Sequence, residues 1–255
     1  MNTLLEASQL SKTYVLGNQN EHTVLKDVDL KIERGDFAAV MGPSGSGKST
    51  LLYNISGMDR MTSGHVMFNG QDLAALSEEA LSDVRLTEMG FIFQHIHLLK
   101  SLSIFDNIIM PAYLAENGGR AKVNRRASEL MEQVGIAPLA DNDVTQASGG
   151  QLQRVGICRA LINEPDIVFG DEPTGALNSK AANEIMELLA DINSAGTTIL
   201  LVTHSAKIAA RTDRVLFMLD GRIVSEKGLG KYTGNGSERK AREEALSSWL
   251  FKMGF

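Results

Sequence analysis

Cysteine is almost absent from this chain, with one in 255 residues. A lone thiol excludes an intrachain disulfide framework and suits a reducing compartment. That residue, Cys158, sits in the apolar run Val155-Gly156-Ile157-Cys158 and is expected to be buried and inert. No apolar stretch approaches the ~18 residues of a spanning helix; the longest aliphatic run worth naming, Ile199-Leu200-Leu201-Val202, is strand-sized. Met1 to Leu16 lacks the basic-then-apolar profile of a secretory leader, which predicts a cytoplasmic location unless a partner holds the chain at a membrane. Positive charge is not in excess either. A net charge of −6 excludes a protein whose main task is neutralising nucleic-acid phosphates. Nucleotide binding stays open, because a nest of backbone N–H groups holds phosphate even on an acidic protein. There is no internal repeat.

What is present is an ordinary globular composition, 43% hydrophobic and 22% charged, in one large domain or two small ones. Leu4 to Leu10 and Val24 to Ile32 are expected strands around a polar loop, Gly17 to His22. Glu33 to Asp36 is turn chemistry. Phe37 to Met41 is a short buried strand, followed by a glycine-rich loop and a helix from Thr50 to Ile55. From about Ile104 to Gly135 the chain is expected to be helical, with Ala127, Leu130, Met131 and Val134 at helical spacing. A second unbroken helix runs from Gln151 to Ile162. Ile167 to Phe169 and Thr198 to Val202 are buried strands around a helix from Ala181 to Asn193. This alternation predicts a mostly parallel sheet with helices on its faces. Val215 to Met218 and Arg222 to Val224 form a closing hairpin that turns at Asp220-Gly221. Beyond Gly228 comes a linker, then an amphipathic helix with Ala241, Ala245, Trp249 and Met253 recurring every four residues, Leu246 and Leu250 beside them, and Arg242 on its polar face. Packing against its own domain is the expectation for that helix. Docking on a membrane or partner is the alternative.

Gly42-Pro43-Ser44-Gly45-Ser46-Gly47-Lys48-Ser49 fits the phosphate-loop pattern in full. Glycines let the backbone curl so that N–H groups point at phosphate, and the helix after the loop adds its positive end. Lys48 reaches the β- and γ-phosphates and Ser49 offers a hydroxyl to Mg²⁺. Glycine is only about 7% of average usage, so an accidental match is rare. A second acid follows in Ile167-Val168-Phe169-Gly170-Asp171-Glu172. Asp171 can hold Mg²⁺ through its water shell, and Glu172, facing differently, can polarise an attacking water as general base. Ser148-Gly149-Gly150-Gln151 opens a helix and offers a second anion site, far from Lys48 and with no lysine of its own. Gln94 and His204 each end an apolar strand. A lone Gln or His there is more often structural, but the order along the chain changes that expectation.

Phosphate loop, Gln94, Ser148 to Gln151, Asp171-Glu172 and His204, in that order, resemble the ATP-binding subunits of ABC transporters over nearly the whole chain up to about Gly228. The resemblance implies a P-loop NTPase (RecA-like) α/β core with an antiparallel β-subdomain and an α-helical subdomain at about 95–165. The ATP-binding domain would span 1–228, with the linker and terminal helix over 229–255. It implies an ATPase with ATP and Mg²⁺ as its ligands. Gly42 to Ser49 with Thr50 would hold the phosphates, and Tyr14 would stack on adenine. Gln94 would join Ser49 and Asp171 around the metal, Glu172 would be the catalytic glutamate and His204 the switch histidine. Ser148 to Gln151 would contact the γ-phosphate bound by a second copy of the chain, so that two head-to-tail copies complete two sites.

The segment after Glu172 reads Thr174-Gly175-Ala176-Leu177-Asn178, where the family usually has Asp at the last position. Asn178 keeps hydrogen bonding and loses charge, which places the coupling between the two sites in question. Ala147 replaces a common leucine. Gly90 to Gln94, Leu98-Leu99, Asn107-Ile108 and Met110-Pro111 resemble the branch of macrolide-exporting, lipoprotein-releasing and bacitracin-resistance ATPases. Asp171 to Leu177 with Ser179-Lys180 is most similar to the bacitracin and lantibiotic members. That implies an integral-membrane permease as partner, docked over His95 to Asn107, at the cytoplasmic face of the membrane. It further implies a role in antimicrobial-peptide resistance, with lipoprotein release or envelope mechanotransmission as alternatives. His95 and His97 read as interface or surface residues. Rival readings are a soluble ABC ATPase on ribosomes or DNA, a P-loop kinase, and an adapter that binds ATP as a signal to a sensor kinase. The first usually carries two cassettes or a long coiled coil, and neither is here; Ser148 to Gln151 and Glu172 argue against the second; only Asn178 favours the third.

Overall fold

A computed structural model of the chain describes residues 2–17, 20–116, 118–233 and 236–255. Two long strands come first, β1 (Thr3–Leu16) and β2 (Asn20–Glu33), paired antiparallel. They run well past the expected limits because the ladder continues through Thr13↔Thr23 with exposed side chains that leave no apolar pattern. The expected loop at Gly17 to His22 shrinks accordingly, and its residues 18 and 19 lie outside the described residues. Next come β3 (Phe37–Met41), the glycine loop and α1 (Lys48–Ile55). β4 (Ser63–Phe68) and β5 (Gln71–Asp72) return to β1, followed by α2 (Glu78–Thr87) and β6 (Met89–Phe93). The helical middle holds α3 (Ile104–Leu114), α4 (Arg120–Gln133) and α5 (Gly149–Leu161). It is broken at 115–119, so the expected continuous stretch is two helices; residue 117 lies outside the described residues. Then follow β7 (Ile167–Asp171), α6 (Ser179–Ser194), β8 (Thr198–Val202), α7 (Ala206–Ala209), β9 (Arg214–Leu219), β10 (Arg222–Gly228) and α8 (Gly236–Lys252).

The strands make two sheets among the described residues. One is antiparallel, in the order β2-β1-β4-β5; the other runs β10-β9-β3-β8-β7-β6, parallel except for β10 at its edge. Side chains in a strand alternate between faces, and the core sorts by that rule. Ala38, Val40, Ile167, Phe169, Leu200 and Val202 pack toward α1 and the antiparallel sheet. Phe37, Val168, Ile199 and Leu201 pack toward α3 to α6, where Cys158 lies fully buried. Burial pushes the Cys158 thiol up to about 12, which keeps it a neutral, unreactive thiol.

Helix α8 packs on the chain itself. Leu246 and Leu250 are buried against Met41, Val215 and Phe217, with Trp249 set edge-on to Phe217 at 6.0 Å. Each buried leucine stabilises by about 1.5–3 kcal/mol. The buried stripe differs from the expected one: Ala241 and Ala245 are exposed, and Arg242 is buried. Its guanidinium explains the difference. Nε donates to Ala210 O at 2.8 Å, Nη1 to Leu229 O at 2.9 Å, and Nη2 to Thr212 O at 2.7 Å and Gly230 O at 3.1 Å. Nη1 also reaches Glu238 Oε1 at 3.2 Å. The cation is thus enclosed by carbonyl oxygens that have few other donors. Arg242→Ala is expected to cost about 3 kcal/mol, because the buried carbonyls of Ala210 and Thr212 lose their partner. That is a fall of roughly 6–12 °C in Tm for a domain this large. A melting curve superimposable on the parent's would contradict the cage.

Candidate active site

The parallel strands β6, β7, β8 and β3 bring their C-terminal ends to one edge, the usual place for a ligand in an open α/β sheet. Phe93, Asp171 and Val202 are neighbours in the ladder. The residues that follow each strand, Gln94, Glu172, Thr203 and the loop after Met41, therefore gather there.

The loop from Gly42 to Gly47 is shaped by close backbone packing. A Cβ at Gly42 would lie 2.0 Å from the Met218 carbonyl oxygen of β9, so only glycine fits. Gly47 takes φ +99 and opens α1 with no side-chain cap, leaving the first-turn N–H groups for another acceptor. Among the described residues Ser46 Oγ is buried without a partner. Lys48 Nζ donates to Gly42 O and Pro43 O, both at 2.9 Å, so the cation curls under its own loop. Burial lowers its pKa, and the charges of Glu172 and Asp171 oppose that shift. A cradle of unpaired N–H groups, a buried unpaired hydroxyl and a desolvated lysine suit a polyphosphate.

Asp171 accepts from Ser49 Oγ through Oδ1 at 2.9 Å and from the Tyr53 hydroxyl through Oδ2 at 2.9 Å. Burial, and then the bond to Asp171, push the Tyr53 hydroxyl up to about 12, so it stays a donor at neutral pH. A hard cation takes oxygen ligands such as a hydroxyl and a carboxylate, and Ser49 and Asp171 meet that requirement for Mg²⁺. Glu172 sits one residue on at φ +49, a left-handed backbone that turns its side chain away from that of Asp171. Its Oε1 accepts from His204 N at 3.1 Å and lies 2.8 Å from His204 Nδ1; its Oε2 accepts from Thr203 Oγ1 at 3.4 Å. Thr203 was invisible in the sequence, since its role depends on a strand-to-strand contact. Gln94 is exposed and lies against Gly175, where an added Cβ would come within 2.9 Å of its Nε2. Among the described residues no hydrogen bond joins Gln94 to Ser49 or Asp171.

Ser148 opens α5 with a reciprocal cap: Ser148 Oγ accepts from Gln151 N, and Gln151 Oε1 accepts from Ser148 N at 2.8 Å. The Ser148 oxygen is an acceptor in this cap, so its O–H stays free to donate to an anion, whereas Gln151 N–H is taken up within the helix. Ser148 to Gln151 line a cleft of about 340 Å³ together with Ala176, Leu177 and Asn178, and no residue of Gly42 to Thr50 lines it. Asn178 caps α6, accepting from Ala181 N at 2.9 Å. Asn and Asp cap equally well, so the departure from Asp leaves α6 intact and removes only charge. Tyr14, on β1, donates to Asp59 Oδ2 at 2.7 Å, and Lys12 Nζ lies 4.7 Å from its ring centre while bound to Asp59 Oδ1. This brace fixes the ring and leaves it partly exposed. No helix among the described residues is long and apolar enough to cross a membrane.

Residues 25–175 match the family model described as ABC transporter. The chain is 44% identical over 225 residues to the lipoprotein-releasing system ATP-binding protein LolD 1 of Rhodopseudomonas palustris, covering 88% of this chain and all of that protein. It is 43% identical to the macrolide export ATP-binding/permease protein MacB of Aggregatibacter actinomycetemcomitans, but spans only 34% of that longer protein. Its fold superposes with a TM-score of 0.82 on a dimeric ATP-binding cassette in a post-hydrolysis state bound to ADP and Pi. That cassette is 35% identical, with 90% of this chain and 100% of the other covered.

Proposed function

The chain belongs to the ABC transporter ATPase family, and from that premise we propose that it is the ATP-hydrolysing motor of a membrane transporter, closing head-to-tail with a second copy to drive a permease on another chain. One observation carries the reading. The phosphate loop, Asp171 and Glu172 stand together at one sheet edge, while Ser148 to Gln151 open on a different cleft whose charged lining residues, Arg154 and Glu184, are paired with each other. Each copy is thus two halves of unlike sites, and a head-to-tail pair supplies both.

In this reading the ATP-binding domain spans 1–228 and the linker and terminal helix 229–255. Gly42 to Thr50 wrap the phosphates, Lys48 leaves its two loop carbonyls for phosphate oxygens, and Tyr14 stacks on adenine. Ser49 and Asp171 hold Mg²⁺, with Gln94 moving in to join them; the metal supplies charge neutralisation on the phosphates. Glu172 accepts a proton from the attacking water, and His204 orients Glu172 and the γ-phosphate. Ser148 to Gln151 meet the γ-phosphate of the other copy. The chain works at the cytoplasmic face of the membrane, against permease segments seated over His95 to Asn107.

The substrate reading follows from Asp171 to Leu177 with Ser179-Lys180, which favour antimicrobial-peptide resistance, with a sensor kinase as a further partner. Similarity to a lipoprotein-releasing protein along that protein's full length favours lipoprotein release as the second reading. The test is affinity purification of the tagged chain from solubilised native membranes. A stoichiometric multi-helix membrane protein is the expected companion, and ATPase activity should rise when it is present. Recovery with ribosomes or DNA in its place would overturn the transporter reading.

A further inference from the structure

Residues four apart on an α-helix lie on one face. Four residues beyond Ser49 in α1 is Tyr53, and the two hydroxyls divide one carboxylate between them. Ser49 Oγ holds Asp171 Oδ1 at 2.9 Å, and the Tyr53 hydroxyl holds Oδ2 at 2.9 Å. The phosphate-loop pattern ends at Ser49 and asks nothing of position 53. The acid pair at the end of β7 asks nothing of it either.

The backbone of Asp171 is fixed by its neighbours in the ladder, Phe93 and Val202. Its side chain is not fixed by the strand, because a carboxylate at a strand's end can turn about two bonds. Tying Oδ2 sets the plane of the carboxylate and presents Oδ1 to Ser49. Tyr53 can do this because it is itself partly buried against the hydrophobic core beneath α1 and β7.

We infer that Tyr53 is a positioning residue for the magnesium site: by holding Oδ2 of Asp171 it keeps Oδ1 aimed at Ser49 and the metal that accompanies ATP. This rests on reading Asp171 as the magnesium acid. Partners behind a metal ligand govern its orientation, and their loss weakens metal binding even when every ligand remains.

The test is Tyr53→Phe, which deletes the hydroxyl and keeps the ring. Binding of a fluorescent ATP analogue is measured in EDTA and then across a Mg²⁺ titration, beside Asp171→Asn. In Tyr53→Phe the Mg²⁺ concentration giving half the effect should rise roughly tenfold, the lower end for residues behind a metal ligand. Binding in EDTA and the Tm should match wild type. An unchanged Mg²⁺ titration overturns the inference. So does equal weakening with and without Mg²⁺, which would make Tyr53 part of the loop's packing. Asp171→Asn tells the two failures apart. If it too leaves the Mg²⁺ titration unchanged, the Asp171 reading has failed; if it shifts the titration and Tyr53→Phe does not, only the positioning role has. Tyr53→Leu removes ring and hydroxyl together and should show the same Mg²⁺ deficit; a wild-type titration there counts against the inference as well.

Discussion

Glu172→Gln is expected to lower ATP turnover by about 10²–10⁴-fold, the usual contribution of a positioned general base, while ATP binding is retained. The substitution keeps the size of the side chain; its amide oxygen can still accept from His204 N, and its NH2 can donate to the Thr203 hydroxyl in place of accepting from it, so the left-handed turn at residue 172 has no reason to rearrange. What it loses is the capacity to take a proton. It also removes a negative charge from the place where the γ-phosphate would lie, which favours the closed pair. The wild-type chain should therefore elute as a monomer without nucleotide, and Glu172→Gln as a dimer when ATP is present. Equal turnover in the two proteins would remove Glu172 from the chemistry.

Gly42→Ala should damage the molecule from the other side, by crowding. Its Cβ would stand 2.0 Å from the Met218 carbonyl oxygen and 2.9 Å from Ser46 Oγ. Ser46 Oγ can rotate; Met218 is backbone within a paired strand and cannot. Relief requires β9 or the loop to move by more than an ångström. The cost is about 3 kcal/mol or more, at the top of the usual overpacking range. This corresponds to a Tm lower by roughly 6–12 °C. Nucleotide affinity should fall in parallel, because the loop cannot shift without misaiming its N–H groups. A variant with unchanged Tm and unchanged ATP affinity would mean that the loop is far softer than its packing indicates. Ala at Gly45 offers the contrast: nothing lies within 4 Å of the added carbon, so φ +80 is the whole strain there.

The pieces of this site that were legible in the sequence are the local ones. A phosphate loop is a continuous run of residues, and an acid pair at the end of an apolar strand is another. β3 and β8 matched expectation to the residue because strands buried on both faces leave unbroken apolar runs. The half-exposed β4 was missed, since only Val66 and Phe68 of its six residues are buried. Tyr53 and Thr203 went unseen for a different reason: each acts through a partner far away in the chain, and no spacing rule reports such contacts. Arg242 was placed on the wrong face of α8 because periodicity scores charge as solvent-seeking, whereas five carbonyl and carboxylate oxygens made burial the better solution. Asn178 shows the converse. Its loss of charge was legible, but its retained work as a helix cap depends on where α6 begins in the fold.

Strand β9 gives helix α8 a mechanical address. Phe217 receives Trp249 and Phe255 on one face, and the next residue, Met218, sets its carbonyl against Gly42. Tension applied to α8 through Trp249 would thus be borne one residue away from the contact between β9 and the phosphate loop.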